Sequence, residues 1–195
     1  VSGLRLRFAT RDDTDAIASI YAPVVERTAI SFEIVPPTPE EFAARLDETM
    51  PDYPWLVAEG DTRVVGYAYG HRFAPRAAYA WSVETSIYVR DGERGRGVGY
   101  ALYDALLVLL GAQGYRQAFA GIALPNPASV ALHESVGFMP VGAYRDVGYK
   151  FGAWHDVGWW QRSLDAGLAE TPTTPTTPLR VDALERELVA RVLYG

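Results

Sequence analysis

Cysteine is absent from the 195 residues, which excludes disulfides, iron–sulfur clusters and thiolate zinc sites. Histidine is scarce: only His71, His133 and His155 occur, with no His-Glu-x-x-His pair, so the sequence predicts no metal site. Excess positive charge is missing too. Eighteen Lys and Arg face 24 Asp and Glu, giving a net charge of −6. That balance disfavours general nucleic-acid binding, which needs a basic face. No apolar run is long: Ala105 to Ala112 falls well short of the roughly 20 residues of a membrane span. The first residues lack a signal-peptide core, since Arg5 and Arg7 alternate with apolar neighbours. These lacks together predict a cytoplasmic chain with neither membrane nor nucleic acid as partner.

What is present is ordinary for a globular protein: 49% hydrophobic and 22% charged residues. A chain of this length can bury a core without covalent staples. Leu4 to Phe8 alternates with period two and predicts a strand. Thr10 can cap a helix over Asp12–Arg27, in which Ile17, Ile20, Tyr21 and Val24 recur at helical spacing. Thr38-Pro39-Glu40-Glu41 starts a second helix reaching about Met50. Pro54–Glu59 and Val64–His71 predict a hairpin across Gly60-Asp61. Trp81–Arg90 is a further strand. A glycine-rich loop over Gly92–Gly99 then leads into a helix through Leu110. Strand Ala118–Ala123, a short helix from Asn126 to near Gly137, and strands Phe138–Lys150 and Trp154–Ser163 complete the order β-α-α-β-β-β-α-β-α-β-β.

Composition changes after Ala169. Residues 1–165 form the predicted domain and 166–179 a Thr/Pro-rich extended linker. Over 180–195 a tail helix is predicted, with Leu184, Leu188 and Val192 at helical spacing, packed on the domain or on a partner subunit.

The strongest chemical signal is Arg94-Gly95-Arg96-Gly97-Val98-Gly99, between a strand and a helix. Glycines allow sharp turns and close approach to a ligand. A helix start offers free N–H groups and a positive dipole end to phosphate. The plain alternative is a tight turn carrying solvated arginines. The dinucleotide fingerprint needs a third glycine where Tyr100 stands, and the triphosphate loop needs a missing Gly-Lys-Ser/Thr. Arg-x-x-Gly-x-Gly after Ser86-Ile87-Tyr88-Val89 does fit another pattern. It resembles the acyl-CoA pyrophosphate loop of the GNAT superfamily of N-acetyltransferases. Within it, Trp81-Ser-Val-Glu-Thr-Ser-Ile-Tyr-Val89, Leu124-Pro-Asn126, Leu132-His133-Glu134, Gly148-Tyr149-Lys150 and Trp154-His155-Asp156-Val157-Gly158 are similar to phosphinothricin N-acetyltransferases. Methionine sulfoximine and methionine sulfone acetyltransferases share the layout. The likeness covers about Leu4 to Leu164 and leaves the tail unassigned.

The resemblance implies an α/β (α+β) fold, with a mixed central sheet of about seven strands, splayed between the fourth and fifth, and helices on both faces. It implies acetyl-CoA as acyl donor. Ile87, Tyr88 and Val89 would pair with its pantetheine as an added strand does. Arg94, Gly95, Arg96, Gly97, Val98, Gly99 and Tyr100 would cradle the pyrophosphate, and Asn126 and Ser129 would meet the far side. Asn126 and Ser129 also suit plain helix capping. His133 stands where many relatives place a proton-donating tyrosine; it could donate, or only position the cofactor. Glu84 is the expected general base, since the attacking amine must be neutral. Its neighbours Trp81, Ile87 and Tyr88 could raise its pKa by desolvation. The alternative for Glu84 is a solvated or ion-paired carboxylate on a strand face. Phe32, Arg72, Arg76, Tyr79, Val83 and Thr85 are the expected acceptor contacts, and Lys150 and Tyr149 could reach the pocket from a partner subunit.

The expected activity is acetylation of the α-amino group of a small amino-acid-like acceptor. The alternatives are acetylation of protein N-termini or polyamines, or a CoA-binding module without turnover. The resemblance also implies a homodimer, for which an exposed aromatic strand pair at 138–163 would suit a twofold interface.

Overall fold

The computed structural model describes residues 3–164 and 175–194. Twelve main elements follow in order: β1 (Arg5–Phe8), α1 (Thr14–Arg27), α2 (Pro39–Thr49), β2 (Trp55–Glu59), β3 (Val64–Arg72), β4 (Ser82–Val89), α3 (Val98–Gln113), β5 (Gln117–Leu124), α4 (Pro127–Ser135), β6 (Met139–Lys150), β7 (Ala153–Ser163) and α5 (Arg186–Tyr194). The sheet runs β1-β2-β3-β4-β5-β7-β6. All its neighbours are antiparallel except β4 and β5. No helix among the described residues is long and apolar enough to cross a membrane.

Local chemistry explains most boundaries. Thr38 caps α2 by accepting from the Glu41 N–H at 3.2 Å, while the Glu41 carboxylate accepts from the Thr38 N–H at 2.7 Å. Asp13 does the equivalent before α1, accepting from the Thr10 N–H, and its carboxylate also takes a bidentate pair from Arg7 at 2.7 Å. The expected start at Asp12 shifts because Arg11–Asp13 forms a separate 3-10 turn.

Two cores flank the sheet. On one face α1 and α2 bury Ile17, Tyr21, Val24, Phe42 and Leu46 against Trp55, Val57 and Tyr67. On the other, α3 lays Leu102, Leu106, Leu109 and Leu110 against Leu56, Ala68, Val83 and Ala118. The tail helix α5 packs on α3 and β1, with Leu193 buried in this second core. The expected tail helix is interrupted. Val181–Ala183 is a 3-10 turn that buries Leu184, and the helix restarts at Arg186. The linker expected over 166–179 lies partly outside the described residues. From Pro175 onward it is tied down: the Trp81 indole N–H donates to the Thr176 carbonyl, and Leu179 exchanges hydrogen bonds with Gln113.

The feature that positions the site is a defect in the sheet. β4 pairs with β5 only over Ser82–Glu84 against Gln117–Phe119. Beyond Glu84 the two strands part, while β3 stays paired with β4 to Val89 and β7 follows β5 to Leu124. The parting leaves the β4 edge from Thr85 to Val89 open beside the start of α3.

Candidate active site

The cleft at the parted strands has a volume of about 400 Å³. Its walls include Ile87, Tyr88, Val89, Arg94, Tyr100, Asn126 and Ser129. A smaller cavity of about 50 Å³ continues inward past Thr85, Tyr103 and His133.

The glycine loop forms the rim. Gly97 precedes α3 in the left-handed region with φ +80°, which an L side chain rarely adopts, so the turn requires glycine. At Gly99 a Cβ would come within 2.9 Å of Leu132 Cδ2, so the missing side chain lets α3 approach α4. The first N–H groups of α3 thus open toward the cleft with no side-chain cap at Gly97. The arginines diverge. Arg94 lines the cleft, donates to the Val89 carbonyl at 3.4 Å and pairs with Asp91 at 3.1 Å. Arg96 pairs with Glu93 at 2.7 Å and lines a separate hollow beside Arg63, and Val98 is buried in the core. Their side chains therefore turn away from the cleft, although both residues were expected to serve it. Tyr100, half exposed, forms a wall.

Across the cleft, Asn126 caps α4 by accepting from the Ser129 N–H at 3.2 Å. His133, one turn on, is 3% exposed. A carbonyl can only accept, so His133 Nδ1–H donates to the Ser129 carbonyl at 2.7 Å. The neutral ring then accepts at Nε2 from the Tyr103 hydroxyl at 2.8 Å. Burial pushes the imidazole pKa down, consistent with this neutral form. With Nδ1–H committed and Nε2 accepting, the ring holds no N–H for the cleft. Its Tyr103 partner, which lines the inner cavity and reaches Thr85 Oγ1 at 3.4 Å, is the hydroxyl next to the cleft. Tyr103 was not among the sequence-derived candidates. It lies in an apolar helix run and carries no signal there beyond core packing.

Glu84 ends the β4–β5 ladder opposite Phe119. Its carboxyl is raised to about 7 by desolvation. Directly across β3 stands His71, with Nε2 3.9 Å from Glu84 Oε1. Burial lowers the His71 pKa. Sequence reading missed His71, because the pair exists only through strand register. Along β4 the neighbours of Glu84 face the opposite side. Val83 is fully buried against α3, and Thr85 donates to the Phe119 carbonyl at 3.1 Å. Val83 thus falls in the core rather than at an acceptor contact, since adjacent strand residues alternate faces.

The remaining expected acceptor contacts separate. Tyr79 is 43% exposed and meets Phe73 edge-on at 5.7 Å; Phe73 in turn stacks on Phe119 at 4.2 Å, beside Glu84. Arg72 folds back, its guanidinium donating to the Ala74 and Pro75 carbonyls. Arg76 is exposed at the head of the 3-10 turn Ala77–Tyr79. Phe32 lies on the α1–α2 loop against Gly148, where a Cβ would overlap its ring, and near His155. That loop is held by Lys150, expected to serve a partner's pocket but 5% exposed within its own chain. Its ammonium donates to the carbonyls of Val25 and Ser31, each at 2.7 Å. Among the described residues no group of three His, Asp or Glu could hold a metal ion.

Comparison with known proteins agrees with this geometry. The model of the acetyltransferase (GNAT) domain matches residues 6–159. A phosphinothricin N-acetyltransferase of Streptomyces viridochromogenes is 39% identical over 176 residues, spanning 90% of this chain and 96% of that protein. An L-methionine sulfoximine/L-methionine sulfone acetyltransferase of Pseudomonas paraeruginosa is 36% identical, over 82% of this chain and 94% of that protein. The crystal structure of a GNAT superfamily phosphinothricin acetyltransferase from Sinorhizobium meliloti, in complex with acetyl-CoA, superposes with a TM-score of 0.84 at 37% identity. The match covers 93% of this chain and 98% of that one. By sequence, fold and the parted β4–β5 cleft alike, the chain belongs to the GNAT family of N-acetyltransferases.

Proposed function

We propose that the protein moves the acetyl group of acetyl-CoA to the α-amino group of a small amino-acid-like acceptor of the phosphinothricin, methionine sulfoximine or methionine sulfone type. The names and identities of its relatives support that acceptor class. The observation that carries the chemistry is Glu84: a largely desolvated carboxyl with a pKa near 7, where the β4–β5 ladder ends.

The residues fit the donor. The open β4 edge at Ile87 and Val89 offers backbone groups to the pantetheine amides. Gly95, Gly97 and the uncapped N–H groups of α3, with Arg94 alongside, suit the pyrophosphate. Asn126 and Ser129 line the opposite wall. When bound, acetyl-CoA supplies an activated thioester carbonyl.

Glu84 accepts a proton from the acceptor's ammonium group. About half of Glu84 is ionised near neutral pH, a good match to a base that must both take and release a proton. The backbone N–H near Val89 stabilises the developing oxyanion. His133 positions Tyr103, accepting from its hydroxyl at Nε2, and so shapes the inner end of the cavity. Tyr79, Phe73 and Phe32 wall the acceptor, and Arg76 offers a cation for its carboxylate or phosphinate. The protein acts as a homodimer. In support, the β6–β7 hairpin exposes Met139, Val141, Tyr144, Tyr149 and Trp154, each more than half exposed.

The test is thiol release from acetyl-CoA with phosphinothricin, methionine sulfoximine, methionine sulfone, spermidine and N-terminal peptides. Turnover confined to the first three, and reduced about 10²-fold or more in Glu84→Gln, is expected. Turnover on spermidine or peptides alone would refute the acceptor class.

A further inference from the structure

We infer that His71 is a second proton site for Glu84, a positioning group that receives the proton the carboxylate takes from the acceptor and passes it to solvent. The inference rests on the reading of Glu84 as base. Strand register sets the two residues directly opposite on β3 and β4. At 3.9 Å, His71 Nε2 and Glu84 Oε1 lie one small side-chain rotation, or one bridging water, from a hydrogen bond. Both side chains are about one quarter exposed, at 29% and 25%, so the pair connects the site to solvent.

The surroundings leave His71 as the partner for this proton. Tyr69, two residues back on β3, lies 5.6 Å from the imidazole, and burial raises its pKa to about 12, so it stays neutral. Tyr103 on α3 is held neutral the same way. The Glu33–Arg45 pair on the α2 side is mutually satisfied at 2.9 Å. Arg72, next in sequence, is committed to its own loop. On β5 the neighbour of Glu84 is Phe119, and beyond it stand Phe73 and Tyr79.

Burial raises the Glu84 carboxyl and lowers the His71 imidazole, so His71 rests neutral, able to take a proton and quick to hand it on to water. The balance is simple. One N–H proton of the ammonium passes to a Glu84 carboxylate oxygen, then to His71 Nε2, then to water. The freed amine forms the C–N bond; as the C–S bond breaks, the thiolate leaves with that electron pair and takes up the second proton that the nitrogen sheds, so one proton ends in solvent and one on sulfur.

The experiment compares kcat/KM against pH for wild type and His71→Gln, using an acceptor that wild type acetylates. Below about pH 6.5 the acid limb of wild type is expected to be steeper by about one proton. His71→Gln is expected to lose about tenfold or more in kcat, with KM for the acceptor changed by less than about threefold. Added imidazole should restore part of kcat in His71→Ala. A second measurement needs no turnover: the His71 imidazole is titrated by NMR in wild type and Glu84→Gln. In wild type the His71 signal should also respond to the Glu84 step near pH 7, and Glu84→Gln should abolish that response. An identical His71 titration curve in wild type and Glu84→Gln, or a His71→Gln profile and kcat equal to wild type, would overturn the inference while leaving acetyl transfer intact. Wild-type inactivity toward every amine would sink acetyl transfer, and this inference with it.

Discussion

Replacing Glu84 by Gln should make the protein more stable, and only at neutral to alkaline pH. The Glu84 pKa rises on folding from 4.5 to about 7, because burial penalises the charged form. Between those values the folded carboxyl holds its proton and the unfolded one does not. Stability from this group is therefore fully present below pH 4.5. It falls as pH rises and is lost once the folded carboxyl ionises above about pH 7. At roughly 1.4 kcal/mol per pKa unit, the loss is about 3 kcal/mol. Glutamine is nearly isosteric and never ionises, so it escapes the loss. Urea unfolding of wild type and Glu84→Gln at about pH 5 and about pH 8 isolates the effect. Contributions from every other titrating group, including the surface carboxylates, largely cancel in the difference. The variant should gain about 2–3 kcal/mol over wild type at the higher pH relative to the lower one. A difference that stays constant across that range would refute the claim that Glu84 is held protonated by burial, and with it the case for a base matched to neutral pH. The same substitution is expected to abolish most turnover, giving a variant more stable at high pH and nearly inactive.

Three further outcomes follow from named contacts. Gly97→Ala forces a side chain into the left-handed turn before α3. It should cost about 1–2 kcal/mol of stability and weaken CoA binding measured by calorimetry about tenfold or more. Arg94→Ala should raise the Kd for acetyl-CoA several-fold more than Arg96→Ala, because Arg94 lines the cleft while Arg96 is paired with Glu93; equal effects would contradict the assignment. Lys150→Met removes two hydrogen bonds, to Val25 near the end of α1 and to Ser31 on the α1–α2 loop. It should cost about 2 kcal/mol in denaturant unfolding and raise the acceptor KM more than the acetyl-CoA KM, since Phe32 rides on that loop.

Much of the architecture was legible from residue order, because the signals are local. Thr38-Pro39-Glu40-Glu41 specifies a capped helix start through contacts three residues apart, and Thr38 does cap α2. Runs rich in β-branched and aromatic residues at 64–71 and 81–90 mark strands. The turn at 94–99 follows from backbone conformations that only glycine adopts easily, and Gly95, Gly97 and Gly99 line the cleft. Glu84 was legible as a candidate through the motif around it, and the structure sets it at the end of the β4–β5 pairing.

What composition and spacing do not carry is which atoms meet across distant segments. Neither the His71–Glu84 pair nor the seating of Lys150 beneath the α1–α2 loop has any local spacing, the latter joining residues 119 and 125 apart in sequence. Tyr103 reads as one more core residue until α4 turns His133 onto its hydroxyl. Arg94 and Arg96 are indistinguishable in sequence, yet the turn at Gly95 and Gly97 sends one toward the cleft and the other to Glu93. Sequence by itself determined where helices, strands and the glycine turn form, since those choices are made by backbone preference and near neighbours. Tertiary structure alone decided which side chains are desolvated and which are paired, because burial and register depend on the whole sheet, and these set the chemistry of Glu84.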